Sequence, residues 1–209
     1  MEHPNRIAAL SLALLGCLAL SCIRLRTPYP EKSHYVLDVG RNAPKGEASS
    51  GVSLRVRAAG AAPLVQGQGL VWRESDVQWH EDFYHLFFAP PVSMVAEEAR
   101  QWLDASGRFE WVGQSGTRAE STHAIEVGIL ELYGDLREEG SPRAVLSLVF
   151  TLTEETPRGP RIVFQGKYGE SVGMENDTPD DLVRGWNDGL RLILGELEEE
   201  LTARLQPIG

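Results

Sequence analysis

Cysteine is almost absent from this chain of 209 residues: there are two, Cys17 and Cys22, both close to the N-terminus. The body of the chain therefore has neither a disulfide framework nor a thiolate metal site, and its fold has to rest on an ordinary core. Basic charge is also scarce, with 20 Lys and Arg against 30 Asp and Glu and a formal net charge of -10. Nucleic acids and bare anionic membrane surfaces select for clusters of Lys and Arg, so the acidic balance argues against either as the main partner. The longest apolar run, Ile7 to Leu20, is too short to span a bilayer comfortably. At 42% hydrophobic residues, the chain can still build a core.

Convergent chemistry is missing too. Gly67-Gln68-Gly69 lacks the third glycine or the lysine of a phosphate loop, and no helix pattern opens after it, so it reads as a hairpin turn. Gly113-Gln114-Ser115-Gly116 lacks the spacing of a nucleophile elbow. His80 and His85 flank Glu81 and Asp82, but five residues apart they share a face on neither a helix nor a strand, so structural roles are expected. The acidic pairs Glu97-Glu98 and Glu138-Glu139 and the run Glu198 to Glu200 read as solvated charge. No catalytic set, metal site or cofactor is expected, and the chain reads as a non-enzyme.

What is present begins with the address. M-E-H-P-N-R followed by the apolar run is a secretory signal in form. A cysteine directly behind such a run and preceded by small residues resembles the bacterial lipoprotein box, in which the thiol is acylated and becomes the mature N-terminus. Cys17 follows Gly16, and Cys22 follows Ser21. Cys22 is preferred as the lipidated residue, because it allows the longer apolar run and precedes I-R-L-R-T-P-Y-P, a polar tether. The domain plan is a signal peptide over 1–21, a tether over 22–34 and a single domain over 35–209. A mature chain of roughly 190 residues fits one domain.

Along that domain, Tyr35 to Val39, Ser53 to Ala58 (Leu54, Val56 and Ala58 inward) and Leu70 to Glu74 are strand candidates. Trp79 to Val112 reads as strand, helix and strand. Apolar and aromatic residues alternate on both faces of Glu81 to Phe88, as in a largely covered strand. Pro90-Pro91 then opens a helix carrying Val92, Val95, Ala99, Trp102 and Leu103, and Gly107 ends it. Thr122 to Leu136, Ala144 to Thr153 and Ile162 to Tyr168 are strands joined by short turns, which implies mainly antiparallel pairing. Thr178-Pro179-Asp180-Asp181 caps a last helix with Leu182, Trp186, Leu190, Ile193, Leu197, Leu201 and Leu205 on one stripe. The fold class is α+β, a mainly antiparallel sheet with two helices packed on one face.

The order of segments carries a resemblance. Tyr35 to Leu37, L-R-V-R (Leu54 to Arg57), L-V-W-R (Leu70 to Arg73), F-F-A-P-P-V-S-M (Phe87 to Met94), Trp102-Leu103 and Phe109 follow the lipoprotein box as they do in the ABC-type transport auxiliary lipoproteins, the family of PqiC-like accessory lipoproteins of MCE transport systems. Where many members read Arg-Trp before the alanine and prolines, this chain has Phe87-Phe88. The resemblance implies a lipoprotein held in the outer membrane by its acyl anchor and facing the periplasm. It would work with an MCE-domain protein and an ABC permease and ATPase in lipid transport, with a homo-oligomer compatible with that role. A free-standing structural or assembly lipoprotein of an outer-membrane complex is the alternative. Ile23, rather than Asp, after the cysteine fits the outer membrane. Interfaces favour aromatic residues and Met, so Trp72, Phe88 and Met94 are the expected partner-binding residues.

Overall fold

The computed structural model describes residues 31–41, 46, 51–114, 116 and 120–205. Cys17, Cys22, the signal and tether residues 22–30 lie outside the described residues. The chain divides into two units, Met1–Glu31 and Lys32–Gly209, and every element below belongs to the second.

The sheet is organised around one long strand, β6 (His123–Asp135). On one side it runs antiparallel to β7 (Arg143–Glu154), which pairs antiparallel with β8 (Arg161–Gly173). Its other side is shared. The first half pairs in parallel with β2 (Ser53–Ala61), from Leu54 opposite His123 to Ala61 opposite Ile129. The far end pairs in parallel with β3 (Gly69–Arg73), Trp72 lying opposite Gly134. Each arm then extends. β2 carries β5 (Trp111–Gln114) in parallel, and β3 carries β4 (Trp79–Phe87) antiparallel, with the short β1 (Ser33–Tyr35) parallel on β4. The eight strands form a mixed sheet. Antiparallel pairing holds where a short turn joins neighbours, as in β3–β4 and β6–β7–β8, and the parallel pairs join strands that a helix or other strands separate in sequence.

Two helices pack against this sheet. The first, α1 (Pro91–Ser106), has Pro91 in its first turn and ends at Gly107, whose φ of 66° is left-handed and whose N–H bonds the Asp104 carbonyl at 3.2 Å. α2 (Pro179–Arg204) starts under the Thr178 hydroxyl, which accepts the Asp181 N–H at 3.3 Å. The stripe Leu182, Trp186, Leu190, Ile193, Leu197 and Leu201 is buried along its whole length. It faces β7 and β8, while α1 covers β2, β5 and β6, and both helices enter one continuous core.

Small residues set how close α2 comes. A Cβ built at Gly185 would lie 2.5 Å from the Ala144 Cβ on β7, closer than carbon atoms approach. Nothing lies within 4 Å of one built at Gly195 on the same helix. Gly185→Ala is therefore expected to destabilise by about 1–3 kcal/mol through overpacking. Gly195→Ala should stabilise by up to ~1 kcal/mol. Urea denaturation of the two variants checks the pair, and equal signs would mean that α2 is not held against Ala144.

The structure corrects several local readings. Beyond Tyr35 the strand stops, and Val36 to Gly40 crosses the helices instead. Ala58 is exposed although it continues the inward alternation of β2, and Ile162 is exposed at the start of β8. The Gly67-Gln68-Gly69 segment is not a hairpin turn, because β2 and β3 do not pair with each other; it yields room to β4, a Cβ at Gly69 falling 2.5 Å from Glu81 Cγ. Nor is β4 largely covered. Gly69 pairs with Leu86 and Val71 with Glu81, so the residues between Glu81 and Leu86 bulge out of the ladder. The Asp82 carboxylate holds that bulge by accepting the N–H groups of Tyr84 (2.8 Å) and His85 (3.0 Å), and Phe83 is turned out to solvent. Gly128 and Gly134 do mark close approaches, to Val149 and to the Trp72 ring, and β6 shifts register between Ile129 and Glu131.

Candidate functional site

The feature that stands out lies where β1 leaves the sheet. Val36 to Arg41 forms a strap over both helices, with Leu37 and Val39 buried and Val36 and Asp38 turned outward. Side chains of both helices take over the hydrogen bonding that a neighbouring strand would have supplied. The Asp38 N–H donates to Asn187 Oδ1 (3.1 Å) and the Val39 N–H to Glu98 Oε2 (2.9 Å), while Arg191 donates twice to the Val39 carbonyl (3.2 and 3.0 Å).

The strap is clasped at its end by a buried charge. Glu198 of α2, 7% exposed, accepts Arg41 Nε (3.0 Å) and Nη2 (2.9 Å) and the indole N–H of Trp102 (2.9 Å), with Arg108 Nε at 3.7 Å. The expectation of solvated charge at Glu198 is thereby overturned: α2 turns this position inward, where the carboxylate joins α1, α2 and the strap. Glu199 beside it is exposed.

Between the strap and the start of α1 opens an apolar groove of about 330 Å³, lined by Val36, Leu37, Phe88, Ala89, Ser93 and Met94, with Glu97 and Glu98 at its rim. Phe88 is 72% exposed although its N–H is tied to the Tyr35 carbonyl at 2.8 Å, and its ring meets His34 edge-on at 6.2 Å. Met94 is half-buried, its other side packed on the core. Of the three expected interface residues, the structure thus brings Phe88 and Met94 together. Trp72 is elsewhere and 6% exposed, its ring filling the space that a Cβ on Gly134 would take, so its surface is spent on the core.

The titratable groups around the groove are built in. Burial raises the Glu98 carboxyl above the ordinary glutamate range; the Val39 N–H opposes this, and the charges of Asp38 and Glu97 add to it. Arg100 holds Glu97 below that range through a hydrogen bond that outweighs burial. On the other side of β1, burial and a hydrogen bond to Asp180 push the Tyr35 phenol up to about 12. The Asp82 carboxyl is opposed by burial but ends below its usual range, because it accepts the two backbone N–H groups of the bulge and faces the His85 ring at 2.7 Å. His85 is thus part of the bulge's own framework, and His80 is exposed. No group of three or more potential metal-ligating side chains occurs among the described residues.

No family model matches this chain, and no curated protein matches it. Solved structures do. A protein of Xanthomonas campestris assigned to the family model DUF330 superposes with a TM-score of 0.67 over 82% of this chain and 95% of its own, at 13% identity. A second, described only as an uncharacterized protein, gives 0.62 over 82% and 99%, at 17% identity. The chain shares its fold with both.

Among the described residues, no helix is long and apolar enough to cross a membrane. Sequence reasoning missed the strap, the Glu198 clasp and Val36 as a groove residue. The signal for the first was visible in the alternation of Tyr35 to Val39; that its cover would be two helices rather than a strand was not.

Proposed function

We propose that this chain is a lipoprotein acylated at Cys22, held at the outer membrane and facing the periplasm as the accessory subunit of an ABC/MCE-type intermembrane transport system for lipids. The observation that carries this reading is the groove. The largely apolar groove beside Phe88 and Met94 lies on the first residues of the domain, close in sequence to the tether that would join it to the anchor. Mixed-sheet folds host many functions, and the shared DUF330 fold fits this one without deciding it. The segment order from the lipoprotein box to Phe109 supports it further.

The test is affinity capture of the full-length, lipidated chain from membranes. Co-purification of an MCE-domain protein with an ABC permease is expected, and Cys22→Ser should leave an unprocessed or soluble form while Cys17→Ser is still processed and partitions with membranes. Membrane partition that depends on Cys17 instead would move the anchor. Capture of outer-membrane assembly components without any MCE protein would favour the free-standing assembly lipoprotein.

A further inference from the structure

The groove between strap and helix has a volume, an apolar lining and an acidic border that together narrow the class of ligand. Its volume of about 330 Å³ lies at the lower end of ligand pockets, roughly 300–1,000 Å³, which suits one hydrocarbon chain better than two. The walls are Val36, Leu37, Phe88, Ala89 and Met94, and Met supplies the deformable surface that a flexible chain packs against. Val36 and Phe88 stay largely exposed although their neighbours Leu37 and Phe87 are buried, so the domain does not use these two side chains for its own core.

The rim carries carboxylates. Glu98 and Glu97 line it, with Asp38 within electrostatic range of Glu98; Arg100 pairs with Glu97 at 2.7 Å, Arg191 on the Val39 carbonyl pairs with Asp188 at 2.6 Å, and Glu98 is fixed by the Val39 N–H. The surplus is negative. A phosphate-only or free carboxylate headgroup would be repelled there, and an ammonium group would be attracted.

Position supplies the source. On the reading that Cys22 is acylated, about a dozen residues separate the anchor from the strap, a reach of at most ~40 Å, so a bilayer is always within range of the groove. We infer that the groove between Val36 and Met94 takes a single acyl chain of an amine-headed membrane phospholipid, with Phe88 as its outer wall and the Asp38–Glu98 rim facing the headgroup. The inference rests on the lipoprotein reading for the source of the ligand, and it makes the subunit a participant in lipid handling as well as a docking piece.

The experiment uses the full-length, lipidated chain in phosphatidylcholine vesicles carrying a small fraction of phosphatidylethanolamine with a photoreactive diazirine on one acyl chain. After irradiation, labelled peptides are mapped by mass spectrometry. Labelling should concentrate on the segments around Val36 and Phe88 to Met94 and fall roughly tenfold in Phe88→Asp, while the melting temperature stays unchanged because that side chain is largely outside the core. Met94→Gln provides a second variant on the helix side. The same probe with a phosphatidylglycerol headgroup should label several-fold less.

Equal labelling of the groove and of Leu192, an exposed apolar residue on α2, would reduce the signal to membrane proximity and overturn the inference. Labelling of the groove in Cys22→Ser protein added to the same vesicles, with none in the lipidated chain, would assign the groove to the chain's own acyl group. Loss of MCE capture in Phe88→Asp with lipid labelling intact would assign it to a protein partner. Labelling and capture are read separately, so failure of capture alone sinks the transport reading and leaves the lipid site standing.

Discussion

Glu198→Ala is expected to lower stability by about 3–5 kcal/mol, the cost of breaking a buried ion pair by removing one member. The Arg41 and Glu198 side chains are 6% and 10% exposed, so water cannot take over when one is removed. Trp102 would lose the acceptor of its buried indole N–H in the same step. At ~2–4 °C per kcal/mol for a domain of this size, the melting temperature should fall by roughly 6–20 °C. Glu199→Ala, one residue away on the wet side of α2, should change little. A double replacement with apolar residues, Arg41→Met with Glu198→Leu, should recover much of the loss, because it removes both charges together. Hydrogen exchange adds a local readout: the Val39 amide should lose protection in Glu198→Ala before the β6–β7 amides do, since the clasp holds the strap. A loss below about 1 kcal/mol for the single variant would mean that the carboxylate does not clasp the strap.

Trp186→Ala carries the second large effect, about 3–5 kcal/mol. This side chain is fully buried, stacks on Phe87 with centroids 5.4 Å apart, and donates its indole N–H to the Val145 carbonyl at 3.1 Å. It therefore ties α2 both to the central meander and to the end of β4, the strand that leads into the groove. Truncation leaves a cavity at the junction of these elements and removes the hydrogen bond that ties α2 to β7. Trp186→Phe keeps the ring contact and gives up the hydrogen bond, so a smaller loss of ~1–3 kcal/mol is expected. Leu192→Ala on the exposed face of the same helix should fall within about 0.5 kcal/mol of the parent. Denaturant midpoints compared at constant m-value decide between these outcomes, and a Trp186→Ala variant as stable as Leu192→Ala would show that the buried stripe is misassigned.

The two large predictions differ in how readily they could have been foreseen. Trp186 sits on a stripe repeating at three and four residues behind Thr178-Pro179-Asp180-Asp181, and both signals are local: the cap satisfies the first N–H groups of α2, and the spacing gathers apolar side chains on one side. The same holds for Ala144 to Leu152, where strict alternation on β7 puts one set of side chains against the helices. Glu198 belongs to that very helix, between Leu197 and Leu201, yet it looked like one more solvated acid. Its burial depends on Arg41 and Trp102, 157 and 96 residues distant in sequence, arriving at the same point.

What the amino-acid sequence determined alone is the set of elements whose stability is local. These are the two capped helices, the β6–β7–β8 meander, the buried stripe of α2 and the α+β class that follows from them. Tertiary structure alone decided which half of its edge opposite β7 the strand β6 offers to β2 and which to β3, that Trp72 belongs to the core while Phe88 faces solvent, and that a strand pattern after Tyr35 becomes a strap across two helices. Each of these outcomes turns on contacts between distant segments, where packing and the satisfaction of backbone N–H and C=O groups override local pattern.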